Sequence, residues 1–532
     1  MLVIAAVLVA GCASSSSTTA PGGNSGVQPP AAPAAPVIGT QAPFPAASVA
    51  APVGPTPAAS APLNNNRGLP SETPPAPGLS ERGLNPYVDT LRDHLSTFGL
   101  DVDTASYTIA RGAIASGSLP DPAGVRVEEW VNFFDQGYAP PESGTFAVYA
   151  DSVPAPFLTG DHGQREVLLR VGVKARAVSR HERPDAALTF VIDTSGSMAD
   201  SGKLELVKSS LRPLVNQLRS TDRVAIVAFS TNARVVLPPT GGGDRERILG
   251  AIDDLEPQQT TNVQGGLTLG YQLARESMVE GGINRVILAS DGVANVGTTT
   301  ASGILEDVQR DAAAGIQLVA VGVGMGNYND ALLEQLADKG DGFYAYIDTE
   351  EEAHRLFVER LVSTIDTVAL DAKAQIDFNS EAVAAYRLIG YENRAIADND
   401  FRNDQVPAGT IGAGHAVTAL YGLRLRPGVQ PRDRLATVAL RWTDPSTTRA
   451  TEMAVDVLGS DVAGSWSGAD SHLRLDALVA AAAETFRGSP WIEDFDLRQL
   501  AAAARDVRGT LPQTAQVDEF LSLLDQAARL AN

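Results

Sequence analysis

From Ala186 to Ile192 the chain is mostly apolar: Ala186, Ala187, Leu188, Phe190, Val191 and Ile192 follow almost without interruption. Such a run, with no alternation, is the pattern of a parallel strand buried on both faces. Comparable runs at Arg223–Phe229, Arg285–Ser290, Ile316–Val323 and Gly342–Ile347 predict further strands, with a short edge strand at Arg234–Leu237. Between them apolar residues recur at helical spacing, as in Leu204, Val207, Leu211, Leu214, Val215 and Leu218, or Leu267, Gly270, Tyr271 and Ala274. Pro213 predicts a kink in the first of these helices. Strands alternating with helices over 186–367 predict an α/β domain with a doubly wound sheet.

On either side the pattern changes to alternation. Thr145–Ala150 and Val167–Val173 precede the α/β region, and Ala374–Phe378, His415–Leu425, Arg434–Trp442 and Thr451–Val457 follow it. Alternation marks antiparallel strands with one buried face. The expectation is that 144–185 and 368–462 are two parts of one β-sandwich, with the α/β domain inserted between two of its strands. A module at 84–143 carries helices near Tyr107–Ser116 and Val125–Phe134, while Ser96–Leu100 is a poor strand candidate. A helix is expected over Glu350–Thr364, and 463–532 reads as Ala-rich helix with Trp491 in the loop after its first segment. Residues 13–80 are Ala, Pro, Ser, Gly and Thr with scarcely a charge, which bury too little apolar surface to offset ordering entropy. They read as a disordered tether, about 45–50 Å end to end for roughly 70 flexible residues.

The 532 residues leave room for two to four domains. A formal charge of −22 argues against a nucleic-acid partner and does not suggest an anionic membrane surface as partner. No apolar run reaches the ~18 residues that a spanning helix needs. Cys12 is the single cysteine, so no internal disulfide can form.

At the end of the first buried strand the chain turns from hydrocarbon to oxygen, in Asp193-Thr194-Ser195-Gly196-Ser197. Taken alone this is equally an N-capped helix after a strand. Downstream, however, Thr261 stands at the start of a helix and Asp291 at the end of another buried strand. In an open α/β sheet such positions meet at the carboxyl edge. Carboxylates and hydroxyls together are the hard donors that Mg²⁺, Mn²⁺ or Ca²⁺ prefers. With these residues the chain resembles the von Willebrand factor type A domain and its metal-ion-dependent adhesion site, which Asp193, Ser195, Ser197, Thr261 and Asp291 match in full. The resemblance implies direct ligation by Ser195, Ser197 and Thr261, with Asp193 or Asp291 acting partly through water. It also implies an open position for an Asp or Glu carboxylate of a protein partner. Asn327, Tyr328 and Asn329 would rim that position, or serve simply in a turn and a helix cap. The scattered histidines make no metal or triad spacing. Asp193-Thr194-Ser195-Gly196 carries an extra Ser relative to the Asp-Thr-Gly of aspartic proteases and has no second copy, so a protease is rejected.

Beyond the α/β region, Asp101-Val102-Asp103-Thr104-Ala105-Ser106-Tyr107, Arg126-Val127-Glu128-Glu129, Asn132-Phe133-Phe134 and Tyr386 to Arg394 are similar to bacterial lipoproteins of the YfbK type. The likeness covers roughly 84–530. Val9-Ala10-Gly11-Cys12 resembles a lipobox, which implies a signal peptide over 1–12, cleavage before Cys12 and acylation of its thiol. A basic n-region is missing, which points to a start further upstream; an ordinary signal peptide or a hydrophobic terminus are the other readings. The resulting expectation is a non-enzymatic, lipid-anchored protein of the bacterial cell envelope, at the outer or inner membrane, facing periplasm or surface. It would bind a protein through a divalent cation. One rival is an envelope scaffold whose metal only stabilises the fold. Another is a phosphatase using Asp101 and Asp103, against which stand the poor preceding strand and the lack of a downstream Lys or acidic pair; structural or capping roles fit those aspartates better.

Overall fold

The computed structural model describes residues 83–531 apart from 155–156, 158–164, 180, 259, 293–300, 325–329, 361–365 and 493–494. Cys12, the tether at 13–80 and the rim residues Asn327, Tyr328 and Asn329 lie outside the described residues. Strands and helices are numbered here in chain order.

A sandwich of two antiparallel sheets hosts the rest. The first has the order β1 (Val88–Asp89), β12 (Val383–Ile389), β14 (Ala416–Leu425), β4 (Arg165–Ala175), β3 (Phe146–Val153). The second has the order β13 (Gly409–Gly412), β11 (Thr367–Phe378), β15 (Arg434–Asp444), β16 (Arg449–Leu458), with β2 (Leu95–Gly99) also paired to β11. Their inner faces share one core, in which Val167, Leu169, Val171 and Val173 of β4 meet Ala374, Ile376, Val438 and Leu440. Strand β15 buries alternate residues as the pleat of a sandwich requires, whereas β4 and β14 are buried almost throughout, because Leu168 and Leu420 on their outer face pack into a helical core.

Contrary to its weak strand pattern, Ser96–Leu100 lies largely within a strand. That stretch forms β2, with Ser96 opposite Ile376 and Phe98 opposite Ala374, and Phe98 is 1% exposed. Ser and Thr in the run hide a strand whose partner lies 278 residues further along, counted from Thr97 to Gln375.

Between β4 and β11 the chain leaves the sandwich and builds a six-stranded sheet. Its order is β10 (Tyr344–Ile347), β9 (Gln317–Val323), β8 (Ile283–Ser290), β5 (Ala186–Asp193), β6 (Arg223–Phe229), β7 (Ala233–Gly241), parallel throughout except for β7. Every residue of β5 is buried. Leu188, Phe190 and Ile192 face α3 (Lys203–Gln217), α4 (Arg245–Asp253) and α8 (Glu350–His354). Val191, with Val227 and Phe229 of β6, faces α5 (Val263–Ser277), α6 (Ala301–Ala313) and α7 (Asp330–Lys339). Helices on both faces make this the doubly wound α/β domain, inserted in the sandwich. Helix α3 carries Pro213 in its interior and continues past it to Gln217. The edge strand extends beyond Leu237 to Gly241.

A third core is helical. Tyr107 of α1 (Ala105–Ala115) and Trp130 and Phe133 of α2 (Val127–Phe133) pack against helices at Ser471–Phe486, Leu497–Val507 and Ala515–Leu530. Ala477 and Ala480 to Ala483 are wholly buried, so the alanines let the Ser471–Phe486 helix approach its neighbours closely. Trp491 sits in the short turn after it, edge-on to Tyr87 at 5.1 Å. No helix among the described residues is long and apolar enough to cross a membrane.

Candidate metal centre

The site is built where three strands of the central sheet end. Asp193 closes β5 with no exposed surface. Its Oδ1 accepts the Ser195 N–H at 2.8 Å and its Oδ2 accepts the Ser290 hydroxyl at 2.6 Å. Burial raises its carboxyl to about 6, partly offset by those hydrogen bonds, and the nearby Asp291 carboxylate raises it further. The Ser195 and Ser197 hydroxyl oxygens are 3.1 Å apart, and the Ser197 hydroxyl donates to Asp291 Oδ1 at 2.9 Å. Asp193, Ser195 and Asp291 are buried and Ser197 is exposed, so the group opens to solvent on one side.

Thr261 is brought to this edge by its neighbours. The Thr194 N–H and hydroxyl both donate to the Phe229 carbonyl, at 2.8 and 3.0 Å. The loop before α5 is tied to that turn by Gln258 N–H to the Thr194 carbonyl at 2.5 Å, and by Asn262 N–H to the Ser230 carbonyl at 2.8 Å. Asn262 then caps α5, accepting the Gly265 N–H at 2.9 Å. Thr261 is half-buried between these anchors. Close packing fixes α5 as well: a Cβ on Gly270 would lie 2.3 Å from Val191 Cγ2, and one on Gly266 would lie 2.6 Å from the Phe229 ring.

Two residues of the site escaped the sequence reading. Ser290 is a lone hydroxyl at the end of an apolar strand, and only its place before Asp291 hinted at a role. Lys203, which no motif marks, is buried with its Nζ 2.8 Å from Asp291 Oδ2. It gets there because α3 does not start directly after Ser197. A 3₁₀ turn beginning at Gly196 comes first; it is broken at Asp200, which is extended (ψ 140°), and the left-handed residues Ser201 (φ 53°) and Gly202 (φ 71°) then turn the chain so that α3 begins at Lys203.

The donor set suits a small hard cation. All the polar side chains gathered here except Lys203 offer oxygen, and no group of three His, Cys, Asp or Glu side chains that could hold a metal occurs among the described residues. Oxygens bound side by side around octahedral Mg²⁺, at about 2.0–2.1 Å from the ion, stand about 3 Å apart. The Ser195–Ser197 and Ser197–Asp291 separations of 3.1 and 2.9 Å already have that spacing.

Asp101 and Asp103 are engaged differently. Asp101 accepts the Asp103 N–H and Arg394 Nε, and Asp103 accepts the Tyr344 N–H and Arg394 Nη2, at 2.9–3.1 Å. All four carboxylate oxygens are thus in use, holding the sandwich loop of Arg394 against β10. Neither aspartate caps α1, whose N-cap is Thr104.

Comparison with known proteins fits this architecture. The von Willebrand factor type A domain family matches residues 187–360, and a family described as "Uncharacterized protein YfbK, C-terminal" matches 363–530. "Uncharacterized protein YfbK" of Escherichia coli (strain K12) is 36% identical over 468 residues, 83% of this chain and 80% of that protein. Inter-alpha-trypsin inhibitor heavy chain H3 of Homo sapiens is 30% identical over 174 residues, 31% of this chain but 19% of its own length. Among solved structures, a von Willebrand factor type A protein from Catenulispora acidiphila is 18% identical, covers 69% of this chain and 82% of its own, and has a TM-score of 0.39. The chain belongs to the YfbK family of proteins built around a von Willebrand factor type A domain.

Proposed function

We propose that this is a non-enzymatic binding protein of the bacterial cell envelope that takes a protein partner through a divalent cation. Asp193, Ser195, Ser197, Thr261 and Asp291 would hold the ion, Mg²⁺ or else Mn²⁺ or Ca²⁺. When bound there, it supplies a Lewis-acidic position open to an Asp or Glu carboxylate of the partner. The observation that carries this reading is the linked oxygen row Ser195 Oγ, Ser197 Oγ and Asp291 Oδ1, at the spacing of neighbouring ligands and open at Ser197. Hydrolysis would need a general base, a second metal or an oxyanion hole besides. A phosphatase reading lacks a free nucleophile, since Asp101 and Asp103 have every oxygen engaged.

The lipobox-like Val9-Ala10-Gly11-Cys12 and the Ala/Pro/Ser tether after it support acylation at Cys12 and a domain held off the membrane. Cys12→Ser is expected to move the protein from the membrane fraction to the soluble fraction and to abolish incorporation of labelled palmitate. Retention of the label would reject the anchor. The binding reading is tested by pull-down from envelope extract with Mg²⁺, with EDTA and with Asp193→Ala, beside melting curves that verify folding. A partner is expected only with metal-loaded wild type. Equal capture in all three arms, or none with a large melting shift on chelation, would instead favour a scaffold whose metal serves the fold.

A further inference from the structure

We infer that Lys203 is a built-in counter-cation of the metal site, one that loosens its hold on the ion and sets its preference for an anionic partner. The inference rests on the metal-site reading above and concerns the regulation of that same site.

Lys203 Nζ lies 2.8 Å from Asp291 Oδ2, and both side chains are nearly excluded from water, 6% and 4% exposed. The other oxygen of that carboxylate, Oδ1, takes the Ser197 hydroxyl. Asp291 is therefore divided: one oxygen faces the hydroxyl row, the other an ammonium. The lysine stem is packed in place by the end of β9, where a Cβ on Gly324 would lie 2.5 Å from Lys203 Cγ and 2.7 Å from Cε. Gly324 is in the left-handed region at φ +72°, so that approach is built into the turn. The ammonium is thus held in the cluster by its packed stem and its ion pair.

Two consequences follow from charge. In the metal-free protein Asp193 and Asp291 against Lys203 leave the cluster one negative charge rather than two, and Asp291 is never a buried carboxylate without a counter-charge. The domain then keeps its shape when the ion leaves. With a divalent ion in place the same cluster carries one positive charge, where without the lysine it would be neutral. A site with a net positive charge and low-dielectric walls favours a carboxylate over a neutral oxygen donor. The same ammonium repels the incoming cation, so retention of metal becomes conditional on metal concentration and on a bound anion.

The test is Mn²⁺ titration of the whole chain, by calorimetry and by the Mn²⁺ paramagnetic resonance signal, for wild type, Lys203→Gln, Lys203→Met and Asp193→Ala. Glutamine keeps a hydrogen-bond donor without the charge, and methionine removes both. Both Lys203 variants are expected to bind Mn²⁺ about tenfold or more tightly, the scale of removing a like charge at close range. Both should melt lower than wild type without metal and recover with Mn²⁺. Acetate added to the Mn²⁺-loaded proteins is expected to perturb the resonance at lower concentration in wild type than in the variants. Unchanged or weaker Mn²⁺ binding in both variants overturns the inference. So does a Lys203→Gln variant that matches wild type while Lys203→Met binds more weakly, since the lysine would then act only by its hydrogen bond. If wild type takes up no more Mn²⁺ than Asp193→Ala, the metal site itself is wrong, a failure distinct from the other two.

Discussion

Ser290 supports Asp193 from behind: its hydroxyl donates to Oδ2 while Oδ1 takes the Ser195 amide. Groups that orient a ligand are worth roughly 10–100-fold in metal affinity. Ser290→Ala is therefore expected to weaken Mn²⁺ binding by about tenfold with little change in fold, measured in the same titration. Away from the site, Glu128 on α2 is 2% exposed, and its Oε2 has no hydrogen-bond partner. Burial, with the Glu392 carboxylate second, pushes its carboxyl up to about 7. The folded protein then keeps this proton at a pH where the unfolded chain has lost it. The stability Glu128 gives is complete below about pH 4.3, the ordinary glutamate value, and is lost as pH rises through 7. Glu128→Gln should remove that loss, gaining roughly 1–3 kcal/mol on wild type between pH 5 and 8. Denaturant melts at both pH values check it; an equal difference at the two would refute the assignment. At this scale sequence reading has sharp limits. Asp193, Ser195, Ser197, Thr261 and Asp291 stood out because oxygen side chains interrupt apolar strands at their ends. Lys203 and Glu128 did not, because a charged residue on an amphipathic helix reads as solvated until the tertiary fold buries it.

Among the elements, β5 and α5 hold the site in register. Gly270 lies so close to Val191 that any side chain must displace the strand or the helix. Alanine improves helix propensity by about 1 kcal/mol, but the overlap at 2.3 Å outweighs that gain. Gly270→Ala is expected to lower stability by about 1–3 kcal/mol net and to weaken metal binding with it, read by calorimetric melting with and without Mn²⁺. The strands of the central sheet were legible because they are buried on both faces and leave long apolar runs. Strand β2 was not, because Ser96 and Thr97 sit in it and its pairing with β11 depends on residues far along the chain. The broken 3₁₀ turn at Gly196–Gly202 was equally hidden: its sequence, with a glycine at either end, is compatible with a direct turn into helix, and only the extended Asp200 and the left-handed Ser201 and Gly202 delay the start of α3.

On the scale of the whole molecule, the inserted domain is fastened to its host at α7 and β10 by a chain of ion pairs, largely buried except at Asp338. Arg394 of the sandwich reaches Asp101, Asp103 and Asp338, while Arg126 and Asn393 meet Glu334 one turn earlier on α7. Arg394→Ala would leave Asp101 and Asp103 buried without their cation. The expected cost is about 3–5 kcal/mol, seen as a lower melting temperature that Arg394→Lys recovers in part. The insertion itself was legible, since alternating strands flank the unbroken ones. The fastening was not, because each of its partners comes from a different segment.

The two crossings between host and insert both lie at the amino end of the central sheet. Asp185, just before β5, takes the Ile283 amide on its carbonyl, and Thr367, which opens β11, bonds Arg285 and Gln317 at the starts of β8 and β9. The oxygen row lies at the opposite end of β5. A ligand pulled away from that row would load β5 lengthwise over about 25 Å, against the ladders of β6 and β8 on either side. Those hydrogen bonds would be sheared together rather than unzipped one by one. Pulled between its crossings to the host and its oxygen row, the domain would therefore resist tension through the strand best supported by its neighbours.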